Sequence, residues 1–170
     1  MNIFSLQELI FYFFVYSFLG WTLENVHSLI ITSKFFKNSF LNGPFKPMYG
    51  FTSVFLIIYY YKYHIMLLFC ILALIIPTSI EYFTGFSLKK LLNKQYWDYS
   101  DFKFQLNSYI CLRFCLYWML LSIIGIMLLH PIINYIYHLI YILWDFTYLI
   151  FLFYIFVDFY TSILAYRTNK

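Results

Sequence analysis

The chain has 170 residues, 64% of them hydrophobic and 26% aromatic, with 11% charged and a mean hydropathy of +0.76. Soluble domains carry about 25% charged residues, so a water-soluble enzyme is excluded, and the aromatic content excludes disorder. The 11 Lys+Arg against 7 Asp+Glu leave +4, too small a surplus to argue for nucleic acid, and three cysteines make no disulfide framework.

The chain reads as all-α: an integral membrane bundle of about five transmembrane helices, forming one transmembrane domain over residues 1–170. The first apolar run, 6–32, exceeds the ~20 residues that cross a bilayer core. No Lys or Arg precedes it and no small-residue cleavage site follows, so it is expected to be a retained span rather than a signal peptide. Residues 33–49 form a polar loop with Lys34, Lys37 and Lys46. It ends in GPFKPMYG, where Gly43, Pro44, Pro47, Tyr49 and Gly50 predict a shaped structural turn. The stretch 48–88 would be ~60 Å long as one helix, twice the core thickness. It is therefore expected to fold back at Lys62-Tyr63-His64, giving spans at 48–61 and 65–88. A second polar loop covers 89–108. A fourth span is expected at 109–130, closed by His130-Pro131, then an interfacial or re-entrant piece at 131–145 and a fifth span at 146–166.

Lys and Arg counts set the expected orientation. Three lie in the first loop, four in the second and two at the C-terminus, against Lys62 alone on the other side. The N-terminus is expected outside and the C-terminus in the cytoplasm, with the chain multi-pass in the cytoplasmic membrane.

Ionisable side chains within spans are costly and are functional by default. Four fall in the same cytoplasmic half-layer: Glu24, Glu81, Arg113 and Asp158. Gly20 lies one turn from Glu24 and Gly85 one turn from Glu81, on the same helix faces, where small residues allow close helix packing. Both carboxylates are expected to face the bundle interior, with the Arg113 guanidinium bridging them. The neighbouring loops add Trp97, Asp98, Tyr99 and Asn107 as candidate substrate-binding or gating residues. A purely structural ion cluster accounts for the same pattern, and an interfacial aromatic belt accounts for the loop residues.

Other chemistries lack their residues. No G-x-x-x-x-G-K-[ST] loop, H-E-x-x-H helix or G-x-S-x-G elbow occurs. Cys111 and Cys115 share a helix face without further ligands, and the Glu24/His27 pair lacks the second Glu-x-x-His of a di-metal bundle. No catalytic residue, metal or cofactor is assigned.

Five segments together carry a resemblance: YSFLGWTLENV at 16–26, FLNGPFKPMYG at 40–50, EYFTG at 81–85, YWDYSDFKFQLNSYICLRF at 96–114 and HP at 130–131. In order, spacing and hydropathy they resemble the bacterial ABC-transporter permease family called type IV or CmpB-like, over about residues 10–160. The family pattern reads N-G-R-I-C-L where this chain has Asn107-Ser108-Tyr109-Ile110-Cys111-Leu112, so its Gly and Arg are replaced. The resemblance implies a permease subunit in the bilayer, a separate ATP-binding subunit and a homo- or hetero-oligomer. Two rival expectations stand beside it: a membrane-embedded enzyme or lipid-handling protein using the intramembrane carboxylates, and an accessory membrane protein with structural charges.

Overall fold

The structure is a computed structural model that describes residues 3–168. Lys170, counted above for orientation, lies outside them.

Helix α1 (Leu6–Thr32) opens on a capping box: the Ser5 hydroxyl accepts from the Glu8 backbone N–H at 3.1 Å, and the Glu8 carboxylate accepts from the Ser5 N–H at 3.3 Å. These reciprocal bonds satisfy two of the helix's orphan donors. Ser33 ends the helix with φ 57°, a left-handed cap. Helix α2 (Pro47–Tyr63) starts with proline in its first turn, where the missing N–H costs nothing. His64 closes it with φ 55°, and α3 (Met66–Leu92) begins two residues later. The fold-back expected at Lys62-Tyr63-His64 is therefore where the chain reverses.

Between α3 and α4 (Leu112–Ile124) the chain forms a small antiparallel hairpin, Gln105–Leu106 pairing with Ile110–Cys111. The Tyr109 N–H donates to the Leu106 carbonyl at 3.1 Å, and the two central residues, Asn107 and Ser108, have φ of 52° and 60°. Two positive φ values in succession are the requirement of a type I′ turn, which favours Asn-Gly.

The largest correction concerns the C-terminal half. In place of separate elements at 109–130, 131–145 and 146–166, α4, a π-helical turn (Gly125–Leu129) and α5 (His130–Thr168) run as one helix without interruption. Pro131 does not break the helix. The π-turn widens the backbone just before it, with the His130 N–H donating to the Gly125 carbonyl, and such local π adjustments accommodate proline in apolar helices.

Among the described residues three segments are long and apolar enough to cross a membrane: Leu6–Thr32, Met66–Leu92 and the 55-residue Leu112–Tyr166. The 17 residues of α2 rise only ~25 Å, and α4 and α5 are continuous, so the expectation of five separate spanning helices is not supported.

The α5 contacts run first toward the start of α1 and then away from it. His130 lies against Tyr12 and Tyr16, and the Trp144 indole N–H donates to the Gln7 carbonyl at 2.8 Å. Further along, Phe151 meets Phe14, and Asp158 meets the loop at Asn42–Gly43. A straight rod antiparallel to α1 has no such reversal, so α5 is bowed around it.

The core is aromatic, with Phe11, Tyr12, Phe14 and Tyr16 of α1 packed on Leu56, Ile57, Phe69, Ile126, Tyr137 and Trp144. Helices α1 and α2 approach closely through glycine. A Cβ on Gly20 would collide with the Tyr49 ring, and one on Gly50 with Phe13 and the Ser17 hydroxyl.

The hairpin gives a test. Left-handed backbone costs a β-carbon-bearing residue roughly 1–2 kcal/mol, so Ser108→Gly stabilises the protein by about 1 kcal/mol and raises the unfolding temperature in detergent. An unchanged or lowered temperature contradicts the turn.

Candidate functional site

The GPFKPMYG turn carries Lys46 to the side of α1. The Lys46 N–H donates to the Ser17 carbonyl at 3.0 Å, and its ammonium lies 2.5 Å from a Glu24 carboxylate oxygen. Lys37, earlier in the same loop, places its ammonium 2.8 Å from that oxygen. The Lys37 backbone N–H also donates to the buried Asn25 side chain at 2.9 Å. The second Glu24 oxygen accepts from the Tyr49 hydroxyl at 2.7 Å. Burial holds the Lys46 ammonium below the ordinary lysine range, against the opposing pull of Glu24.

Glu81 forms a second acidic centre of different character. It is 3% exposed, and its two oxygens accept from the Tyr99 hydroxyl at 3.0 Å and the Trp118 indole N–H at 2.8 Å. Among the described residues no Lys or Arg forms a salt bridge with it. Burial, reinforced by Glu81, pushes the Tyr99 phenol up, which keeps it protonated as a donor. The two centres are joined through Tyr49, whose ring centroid lies 5.4 Å from that of Trp118.

Arg113 does not bridge the carboxylates. It is exposed, its Nε donates to the Tyr117 hydroxyl at 3.2 Å, and its guanidinium lies over the Tyr117 ring. Its depth suits the site, but its face of α4 points elsewhere. Lys37 and Lys46 neutralise Glu24 instead. Tyr109 packs on Gly85, where a Cβ would lie 3.1 Å from its ring.

Asp158 lies apart from both centres and clamps the turn. Its oxygens accept from the Asn42 and Gly43 N–H groups at 3.0 and 2.9 Å. The Asn42 amide donates to Ser162 at 3.1 Å. A Cβ on Gly43 would overlap the Tyr154 hydroxyl, which would have to move aside. Trp97 donates to the Tyr109 carbonyl at 2.8 Å and ties the second loop to the hairpin. Asp98 caps its own turn by accepting from the Ser100 N–H at 2.9 Å, which holds its carboxyl below the usual range. Asn107 donates to the Tyr82 hydroxyl at 2.8 Å on the surface. Of the expected turn residues, Pro44 and Pro47 shape the backbone, while Tyr49 enters the site itself.

Two cavities share Met48 in their linings. One of about 640 Å³ is lined by Glu24, Lys37, Lys46, Trp97 and the C-terminal ends of α3 and α5. The other, of about 200 Å³, is lined by Tyr16, Gly20, Tyr49, Glu81 and Trp118. Among the described residues no three metal-ligating side chains converge.

The family model described as "Putative ABC-transporter type IV" matches residues 11–163. The chain belongs to this family. No curated protein and no solved structure matches it. With three apolar helices long enough to cross a bilayer, family membership makes this an ABC-transporter family component of membrane character. Lys37, Lys46, Trp118 and Asn42 are site residues that sequence reasoning missed. The lysines carried a signal, since Lys46 lies within the Pro/Gly turn and Lys37 in the loop that leads into it.

Hydrogen bonds to a charged group contribute about 1.5–3 kcal/mol each. Asp158→Ala therefore costs about 2–3 kcal/mol and frees the loop, so trypsin cleavage after Lys34 and Lys37 accelerates in the detergent-solubilised protein. An unaltered cleavage rate removes the clamp from the account.

Proposed function

We propose that the chain is the permease subunit of an ABC-type transporter, multi-pass in the cytoplasmic membrane and assembled as an oligomer with a separate ATP-binding subunit. The observation that supports this best is a pair of cavities that share Met48 in their linings and each reach one acidic centre. The larger reaches Glu24 and its paired lysines, the smaller reaches Tyr49 and Glu81, and Tyr49 links the two centres by a hydroxyl on Glu24 and a ring on Trp118.

A gate needs an element with two arrangements. Tyr49 suits this role because its two contacts belong to different acidic centres. When the ring turns away, Glu24 keeps Lys37 and Lys46, and Glu81 keeps Tyr99 and Trp118, so neither carboxylate is left bare. The Glu24–Lys37–Lys46 and Glu81–Tyr99–Trp118 groups thus replace the Glu24–Arg113–Glu81 triad as the polar gating layer.

The lysine-rich loops assign this layer to the cytoplasmic half of the membrane by the positive-inside rule. The N-terminus is then outside and the C-terminus inside. The 55-residue rod, ~80 Å long, crosses outward along α4 and returns along the far part of α5, with its bow near Trp144. An external ATP-binding subunit is required because the chain has no phosphate-binding loop. The Trp97–Ser100 loop, which contacts Glu81 through Tyr99, is the surface through which nucleotide-driven motion reaches the gate.

Purification of the tagged chain from its native membrane in mild detergent is expected to recover an ATP-binding subunit. In proteoliposomes of that complex, Tyr49→Phe and Glu81→Gln lower coupled ATP hydrolysis by about 10-fold with assembly intact. A chain recovered without such a partner, or unchanged hydrolysis in both variants, contradicts the reading.

A further inference from the structure

We infer that the larger cavity is a binding site for an anionic amphiphile, a lipid whose phosphate headgroup meets the lysines and whose acyl chain lies between the ends of α3 and α5. The inference deepens the permease reading by naming the class of molecule the site takes.

Its volume of about 640 Å³ falls within the range of small-molecule sites, about 300–1,000 Å³. Its walls come from six separate parts of the chain: Glu24 of α1, the first loop, the start of α2, the end of α3, Tyr96 and Trp97 after it, and the end of α5. It is therefore a built concavity rather than one helix face turned to lipid. Phe51, Phe83, Leu88 and Leu91 line it, and they offer nothing to a free inorganic anion.

The polar end is cationic. Lys37 and Lys46 face one carboxylate, Glu24, so one positive charge remains. The Lys37 side chain is 36% exposed, and an ammonium has three donors, of which one is directed at Glu24. A second cation stands at the rim: the Lys94 ammonium lies 5.3 Å from the Tyr96 ring and 4.8 Å from the Tyr166 ring. Those two tyrosines line the cavity and join α5 to the segment after α3 through their hydroxyls. Apolar walls ending at two ammonium charges that no carboxylate neutralises among the described residues complement an acyl chain ending in a phosphate. Each basic residue near an anionic headgroup contributes about 1 kcal/mol, so two give roughly tenfold or more in preference over a zwitterionic lipid.

Native mass spectrometry of the full chain in micelles containing equal phosphatidylglycerol and phosphatidylcholine reads this directly. The expected result is one phosphatidylglycerol retained per chain, in about tenfold preference. Lys94→Gln, a residue outside the gate, is expected to reduce that preference several-fold. Ser87→Trp, at an exposed α3 position lining the cavity, is expected to remove the retained lipid while leaving the unfolding temperature within a few degrees.

Equal retention of both lipids, or full retention in Ser87→Trp, means lipid bound only along the outer faces and overturns the inference. Inorganic phosphate raising the unfolding temperature as much as phosphatidylglycerol also overturns it, because the headgroup alone is then the ligand. The inference and the permease reading fail separately: lipid retention is read without any ATP-binding subunit, and recovery of that subunit is read without lipid.

Discussion

A carboxylate inside an apolar helix is tolerated only with partners, and Glu24 shows what that requirement does to the surrounding chain. Two lysines from one loop and a tyrosine from the next helix converge on it. To deliver them, the loop must double back along α1, and Pro47 must start α2 immediately after Lys46. Gly20 must also leave room for the Tyr49 ring. The geometry of α1, the first loop and α2 is thus set around one charge. Breaking a buried pair by removing one partner costs about 3–5 kcal/mol, because the remaining charge has no alternative in so apolar a chain.

Glu81 meets the same constraint differently. Its partners are neutral donors, one from a loop and one from α4. The first centre therefore binds its loop by ion pairing, whereas the second binds α3, α4 and the hairpin loop by hydrogen bonds. Tyr49 and Trp118 carry contact between them. Asp158 adds a third, independent fastening at Asn42–Gly43, between the two lysines, and α5 is drawn back to the loop after passing Trp144.

Much of this was legible in the residues. The length of the apolar run after Met48 against the bilayer thickness required a reversal, and Lys62–His64 was the polar place for it. Glu24 and Glu81 stood out because charge is rare in spans, and each had glycine one turn away. The family segments, from YSFLGWTLENV to His130-Pro131, were specific enough to place the chain by themselves. Other features were hidden for identifiable reasons. Depth along a helix follows from counting residues, but the direction a side chain faces depends on packing, so Arg113 shares the layer without facing into it. Lys37 and Lys46 were read as topology markers, and nothing in a loop sequence says that its backbone returns to the preceding helix. His130-Pro131 suggested a helix end because proline lacks an N–H, whereas a π-turn at Gly125–Leu129 absorbs that defect. Ser108 holds a left-handed conformation that glycine favours, so a serine at this position did not signal the turn.

The claim on which the rest stands is that Glu24 and Lys46 are mutually compensating charges within the bundle. A double-mutant cycle of Glu24→Gln and Lys46→Met, followed by thermal unfolding in detergent, measures it. The account predicts that each single change destabilises by about 3 kcal/mol and that the double change costs about 2 kcal/mol or more less than their sum. Losses that add to within about 0.5 kcal/mol would contradict it.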